Sequence, residues 1–193
     1  MNPYRARVLW ASLLATAVVS CSEPLAPAVP GKLLFEIEVT SSGLGLFWRG
    51  YSVDAEGHVY AWDVFAAGAS ELRPSDSNVF TGEQLQAKYA HGRTLVATLP
   101  AGEAESRYAE VGAALRGRLT GIKMGCPDVA FERYYALVYD PAGDRYTRVL
   151  LHQSGAAGRA NTSPAARDLY HWLVKVTTGG EVSGPSVCDP YGG

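Results

Sequence analysis

From Lys32 the chain reads LFEIEVTSSG, with Phe35, Ile37 and Val39 on one face of an extended segment and Glu36 and Glu38 on the other. Such alternation predicts a strand with one face in a core and one in water. In LFWRGYSVD, Leu46 and Trp48 share one parity and Tyr51 and Val53 the other. The change falls at Gly50, which predicts a β-bulge that returns one face to the core. Ala55-Glu56-Gly57 is turn chemistry, and HVYAWDVF, where Tyr60, Trp62 and Val64 alternate, predicts the return strand. Residues 32–65 are thus expected to form a three-stranded antiparallel meander.

A polar loop follows, and Thr81-Gly-Glu-Gln84 has the form of a capping box, with Gly92 placed to end a short helix in the left-handed conformation. Thr94 to Pro100 is a short apolar segment, extended or packed against a helix. The Ala- and Glu-rich stretch from Glu103 to Arg118 predicts a second helix, weakened by Gly112, with Tyr108, Val111, Leu115 and Leu119 along its apolar stripe. ERYYALVYDPAGDRYTRVLLH reads as two alternating strands around Asp140-Pro-Ala-Gly-Asp144, a hairpin loop set by Pro and Gly. The clearest helix starts at Ser163 as N-cap with Pro164 behind it and carries Leu169, Trp172, Leu173 and Val176 at i, i+3, i+4 and i+7, closing at Gly179.

The order predicts an α+β fold: an antiparallel sheet built from the meander and the later β-hairpin, with two or three helices packed on one face. The stretch TSSGLGLFWRGYSVDAEGHVYAW also resembles the opening hairpins of small uncharacterised secreted bacterial domains, a likeness that bears on fold and carries no catalytic motif.

The first residues are of another kind. Arg5 and Arg7 precede an apolar run, Val8 to Ser20, that is too short for the roughly 30 Å of hydrocarbon that about 20 helical residues span. A charged start and a short apolar core predict a signal peptide over residues 1–20. Val18-Val19-Ser20-Cys21 resembles the lipobox of bacterial lipoproteins, and the resemblance implies that Cys21 becomes the lipidated N-terminus, a membrane anchor. An ordinary secretory cleavage with Cys21 left as a thiol is the alternative. Pro24, Pro27 and Pro30 recur every third residue, so residues 21–31 are expected to form an extended tether and residues 32–193 a single α+β domain. Ser22 is not the aspartate that holds such lipoproteins at the inner membrane of Gram-negative cells, which implies export to the cell envelope and the outer membrane more than the inner.

Composition narrows the partners. Loss of Arg5 and Arg7 with the leader takes 17 basic residues to 15 against 19 acidic, a net charge of −4. No basic run or basic-aromatic patch stands out, which argues against nucleic acid. With Cys21 acylated, Cys126 and Cys188 are left as a pair, most simply a disulfide that ties the Gly- and Pro-rich tail to the domain. Closing about 60 residues this way is worth about 4 kcal/mol on the chain-entropy account.

Catalytic motifs are missing. No G-x-S-x-G elbow is present, and residues 153–164, QSGAAGRANTSP, lack the Gly-Lys-Ser/Thr ending of a phosphate loop and read as a connection. Asn161-Thr-Ser163 matches a glycosylation sequon, of little meaning in a bacterial chain. His58, His91, His152 and His171 show no metal-ligand spacing, so neither a metal nor another cofactor is expected. Asp168 and His171, at i and i+3, could act as an acid–base pair, although surface helices carry such pairs routinely. Trp48, Tyr51, Tyr60 and Trp62 in the first strands and Tyr134, Tyr135, Tyr139 and Tyr146 in the hairpin are expected to pack in the core, the alternative being an aromatic face for a protein or glycan. The leading expectation is a non-catalytic binding, inhibitory or envelope-assembly module. An envelope hydrolase with a motif-free active site and a purely structural envelope lipoprotein are the alternatives.

Overall fold

The computed structural model describes residues 32–41, 47–65, 78–89, 92–178 and 188–191. Cys21, the leader, the tether, Leu46, His91, Gly179 and residues 66–77 lie outside the described residues. The elements run β1 (Leu33–Ser41), β2 (Phe47–Asp54), β3 (His58–Asp63), β4 (Val79–Thr81), α1 (Gly82–Tyr89), β5 (Thr94–Thr98), α2 (Glu103–Tyr108), α3 (Val111–Ala114), β6 (Lys123–Met124), β7 (Phe131–Asp140), β8 (Arg145–Gly155), β9 (Ala157–Ala160) and α4 (Pro164–Thr177). The architecture is α+β. The described strands form one antiparallel sheet in the order β5-β3-β2-β1-β7-β8-β9-β6, with β4 paired to the start of β8.

Both faces of this sheet are covered. Phe35 and Ile37 of β1, Val53 and Val59 meet Ala104, Val111 and Ala114 of α2 and α3 and Leu169, Trp172 and Leu173 of α4. On the opposite face Leu33, Trp48, Trp62, Val64 and Leu137 pack with Leu85 and Tyr89 of α1. The expectation that the helices share one face therefore fails for α1. Two further expectations fail for the same reason. Glu36 and Glu38, read as the solvent side of β1, are 0% and 1% exposed beneath α1. Gly50 is no bulge: β1 and β2 run in register from Phe35↔Val53 to Ser41↔Phe47, and the shift lies between Leu33 and Phe35. Trp48 and Val53 point to opposite faces because each face has a core. Gly50 is there for another purpose, since a Cβ would meet the Ile37 carbonyl and come within 2.9 Å of the Trp62 ring.

Local chemistry sets α1 and α4. Thr81 and Gln84 form the reciprocal capping box: the Gln84 amide donates to Thr81 Oγ1 (3.1 Å) and the Thr81 amide to Gln84 Oε1 (2.8 Å). Gly92 has φ of 65° and a Cβ there would lie 2.6 Å from the Asp63 carbonyl, so only glycine is comfortable. Ser163 holds the N-cap position of α4, but its hydroxyl donates to the Ala113 carbonyl (3.1 Å) and ties α4 to α3 instead of capping. The stretch expected as one helix, 103–118, is two. Bonds of i→i+3 type at Glu110 and Ala113 break it at 109–110, not at Gly112, and turn Ala104, Val111 and Ala114 inward. Leu115 and Leu119, expected in the stripe, are 53% and 40% exposed.

Candidate functional site

The face beneath α1 carries a charged network built on β1. Lys88, near the end of α1, is 3% exposed and donates to Glu36 Oε1 and, at 3.0 Å, to Glu38 Oε2. Its ammonium also lies 4.5 Å from the Trp62 ring centre and 4.7 Å from that of Trp48, a desolvated cation–π arrangement. Glu38 gathers more donors: Trp48 Nε1 at 2.9 Å, an Arg148 Nη at 3.2 Å and an Arg133 Nη at 3.4 Å. Burial pushes the Glu38 carboxyl up, but the Lys88 and Arg148 charges and the Trp48 N–H more than offset this, and the group is held below the usual carboxylate range. The Tyr89 hydroxyl lies beside the Glu36 carboxylate without a hydrogen bond of sound geometry. Burial first, then the neighbouring Glu36 and Glu38, raises the Tyr89 phenol well above its usual value, so it stays neutral.

The network continues across the sheet because cross-strand partners share a face. One row runs Trp62, Gly50, Glu38, Arg133, Gln153, Arg159 through β3, β2, β1, β7, β8 and β9. Eight residues of α1, about 12 Å at 1.5 Å per residue, are too short to cover all of it. Among the described residues the β7–β9 half of the row opens into a cleft of about 240 Å³ lined by Arg133, Arg148, Arg159, Gln153 and Asn78, with Tyr135, Leu119 and Leu150 as its apolar walls. Arg148 forms the floor, 5% exposed, with its guanidinium 4.4 Å from the Tyr135 ring centre. Arg133 is held by Thr40 Oγ1 (3.1 Å) and by Gln153 Oε1 (3.2 Å), and Arg159 by the Thr120 carbonyl (3.1 Å).

The sites expected from sequence are placed elsewhere. Cys126 and Cys188 lie at disulfide distance, with their Cα atoms 5.0 Å apart. Beside the bridge, His152 Nε2 and Asp189 Oδ2 are 2.8 Å apart and buried, and the imidazole stacks on Tyr170 with centroids 4.0 Å apart. This pairing across 37 positions left no sequence signal. Asp168 and His171 are both exposed and make no hydrogen bond to each other among the described residues; they line an open groove between α2 and α4 with Glu103, Arg107 and Lys175. The turn after β2 brings Asp54, Glu56 and His58 within 4.8 Å of one another, a grouping with ligand chemistry that the reading of histidine spacing missed. Asp54 is already engaged there, accepting from the His58 amide at 2.8 Å and facing His58 Nδ1 at 3.3 Å. Burial raises the Asp54 carboxyl, against the opposing pull of His58. Residues 153–164, read as a connection, contain β9. Trp48, Trp62, Tyr134 and Tyr135 are buried and Tyr51, Tyr60, Tyr139 and Tyr146 half-buried, with Trp48 edge-on to Trp62 at 6.2 Å and Tyr139 against Tyr146 at 4.6 Å.

One signal for the cleft was present in the sequence. Arg133 has the parity of Tyr135 and Leu137, and Arg148 that of Tyr146 and Leu150, so both guanidiniums sit in the apolar register of the hairpin. No protein-family model, no curated protein and no solved structure matches this chain.

Proposed function

We propose that the chain is an exported, lipid-anchored binding module of the cell envelope, held to a membrane through Cys21, at the outer membrane more than the inner where a cell has both. The sheet, which we read as a three-stranded meander extended by a later hairpin, is the platform, and its ligand is a protein, glycan or smaller molecule of the envelope. The observation that carries binding over hydrolysis is the orientation of the charged groups. Glu36 and Glu38 are sealed beneath α1 on their own cations, Asp168 and His171 in the groove between α2 and α4 make no hydrogen bond to each other among the described residues, and the cleft over β7–β9 is lined by guanidiniums, donors suited to holding a ligand. The Cys126–Cys188 pair supports an oxidising compartment.

The anchor is tested by Cys21→Ser, which should move the protein from the membrane fraction to the soluble fraction and abolish labelling by a fatty-acid analogue. A wild-type protein that is soluble and unlabelled would remove the anchor from the proposal.

A further inference from the structure

We infer that the rim of the sheet from Leu115 to Val129 docks on an anionic lipid surface, with its apolar side chains in the headgroup layer and Arg116, Arg118 and Lys123 on the lipid phosphates. The inference deepens the reading of the chain as a membrane-anchored module and rests on it, adding a second contact to the one through Cys21. Exposure is the first argument. Of the eight large apolar residues that stand exposed among the described residues, five fall on this rim: Leu115, Leu119, Ile122, Met124 and Val129. Met124 is 80% exposed and Ile122 65%, a clustering that scattered surface residues do not show.

Rigidity is the second argument, because a floppy loop would fold such side chains back onto the protein. Residues 118–125 are laid along β9 as the outermost line of the sheet. Leu119 bridges Asn161, the Thr120 amide donates to the Ala160 carbonyl (2.8 Å), Lys123 and Met124 pair with Gly158 and Ala157, and the Gly125 amide donates to the Ala156 carbonyl (3.0 Å). The tail pins the same line from its other end, through the Tyr191 hydroxyl on the Gly121 carbonyl (2.6 Å). The apolar groups are therefore held outward before any surface is met, so docking costs little ordering.

Charge names the occupant. Between Glu110 and Asp128 the sequence has three cations, Arg116, Arg118 and Lys123, and no acid. None of the three forms an ion pair among the described residues: Arg116 donates to the Gly112 carbonyl and Lys123 lies over the Tyr191 ring. The mature chain as a whole is acidic, so an anionic surface repels most of the domain and attracts this rim. A second copy would set the same three cations against its own, which disfavours self-pairing. Apolar side chains flanked by long basic ones are the composition of an interfacial segment, the stems lying along the apolar layer and the charges reaching the phosphates. The backbone of an edge strand needs water, so the contact is shallow. A lipid on Cys21 keeps the rim at high local concentration near the surface, so a small patch suffices.

The test is photolabelling of the full-length protein in vesicles of phosphatidylcholine with about 30% phosphatidylglycerol, doped with a lipid whose diazirine sits near the headgroup, and mapping of the labelled peptides by mass spectrometry after reduction and trypsin. Residues 119–123 and 124–133 should label at least about fivefold more than residues 94–107, about fivefold being the worth of one basic residue near such a surface. The comparison peptide carries the exposed Leu95 and Val96 of β5, at the opposite end of the sheet. Rim labelling should fall on phosphatidylcholine alone and in about 0.5 M salt, and Ile122→Ser with Met124→Ser should bring it to the level of residues 94–107; a thermal melt checks that the variant is folded. The inference fails if rim and β5 label equally, if phosphatidylcholine alone gives the same rim labelling, or if the folded double variant labels as wild type does. It also fails if an amine crosslinker joins Lys123 to Lys123 of a second copy on the vesicles, which would give the rim to self-association. If Cys21 carries no lipid the protein is soluble, and the same labelling is read after adding the vesicles to it, so failure of the anchor and failure of the docking are separate results.

Discussion

Replacing Lys88 by Met isolates the central interaction of the buried network. Lys88 is the only cation bonded to Glu36 among the described residues, whereas Glu38 keeps Arg148, Arg133 and the Trp48 N–H without it. The variant therefore leaves the Glu36 carboxylate, 0% exposed, with no counter-charge, while methionine fills nearly the volume of the lysine stem between Trp48 and Trp62. Removing one partner of a buried ion pair costs about 3–5 kcal/mol, and losing the cation–π contacts adds about 0.5–2 kcal/mol. Against a total of about 5–15 kcal/mol this takes a large part of the stability. At about 2–4 °C per kcal/mol for a domain of this size, a combined loss of about 3.5–7 kcal/mol should lower the midpoint by about 7–28 °C. Urea unfolding at pH 7 measures the loss, and the charge-balanced Lys88→Met/Glu36→Gln variant separates charge from packing. It should recover to within about 2 kcal/mol of wild type, because replacing both partners of a buried pair is often neutral. A Lys88→Met protein within about 1 kcal/mol of wild type would refute the network, and a double variant no better than the single one would show that packing, not charge, is what Lys88 supplies.

Trp62, 2% exposed and edge-on to Tyr89 at 5.6 Å, should cost about 3–5 kcal/mol when truncated to Ala, and a melting midpoint within a degree or two of wild type would return it to the class of binding aromatics. The loss should not add to that of Lys88→Met, because the two side chains touch. Cys126→Ser with Cys188→Ser should cost about 2–5 kcal/mol and speed hydrogen exchange at the Gly155 amide, which donates to the Cys188 carbonyl; alkylation of both cysteines in the oxidised native protein would exclude the bridge. With pH, Glu38 contributes stability that is present above its usual value of 4.5 and is lost as pH falls through its lower folded value, while Asp54, raised by burial, works the other way above 3.8. Tyr89 binds its proton more tightly folded than unfolded, so stability should fall as pH rises above 10; urea midpoints that rise there, or Glu38→Gln leaving the acid limb unchanged, would contradict these assignments.

What was legible in the sequence is what short-range chemistry decides. The capping box of α1, Pro164 and the apolar stripe of α4, the alternation of β1 and the cysteine pair could each be read from neighbours in the chain or from counting. What was not legible depends on what lies across from a strand. Alternation assigns parity, so it separated Phe35 and Ile37 from Glu36 and Glu38, but it is silent on whether the second face meets water or another layer. The answer is in α1, about fifty positions on, where Lys88 neutralises Glu36 and part of Glu38 and so allows a strand of solvent-face composition to be buried on both sides. The same gap produced the bulge expected at Gly50: a change of parity needs correction only when one face is buried. The useful rule is to treat charge in an apolar register as a clue in its own right. Arg133 and Arg148 sit among Tyr135, Leu137 and Leu150, a position an arginine tolerates only with a fixed carboxylate nearby, and a β1 strand with two glutamates on one face supplies it. Pairing those two irregularities joins β1 to the hairpin on that face by charge alone.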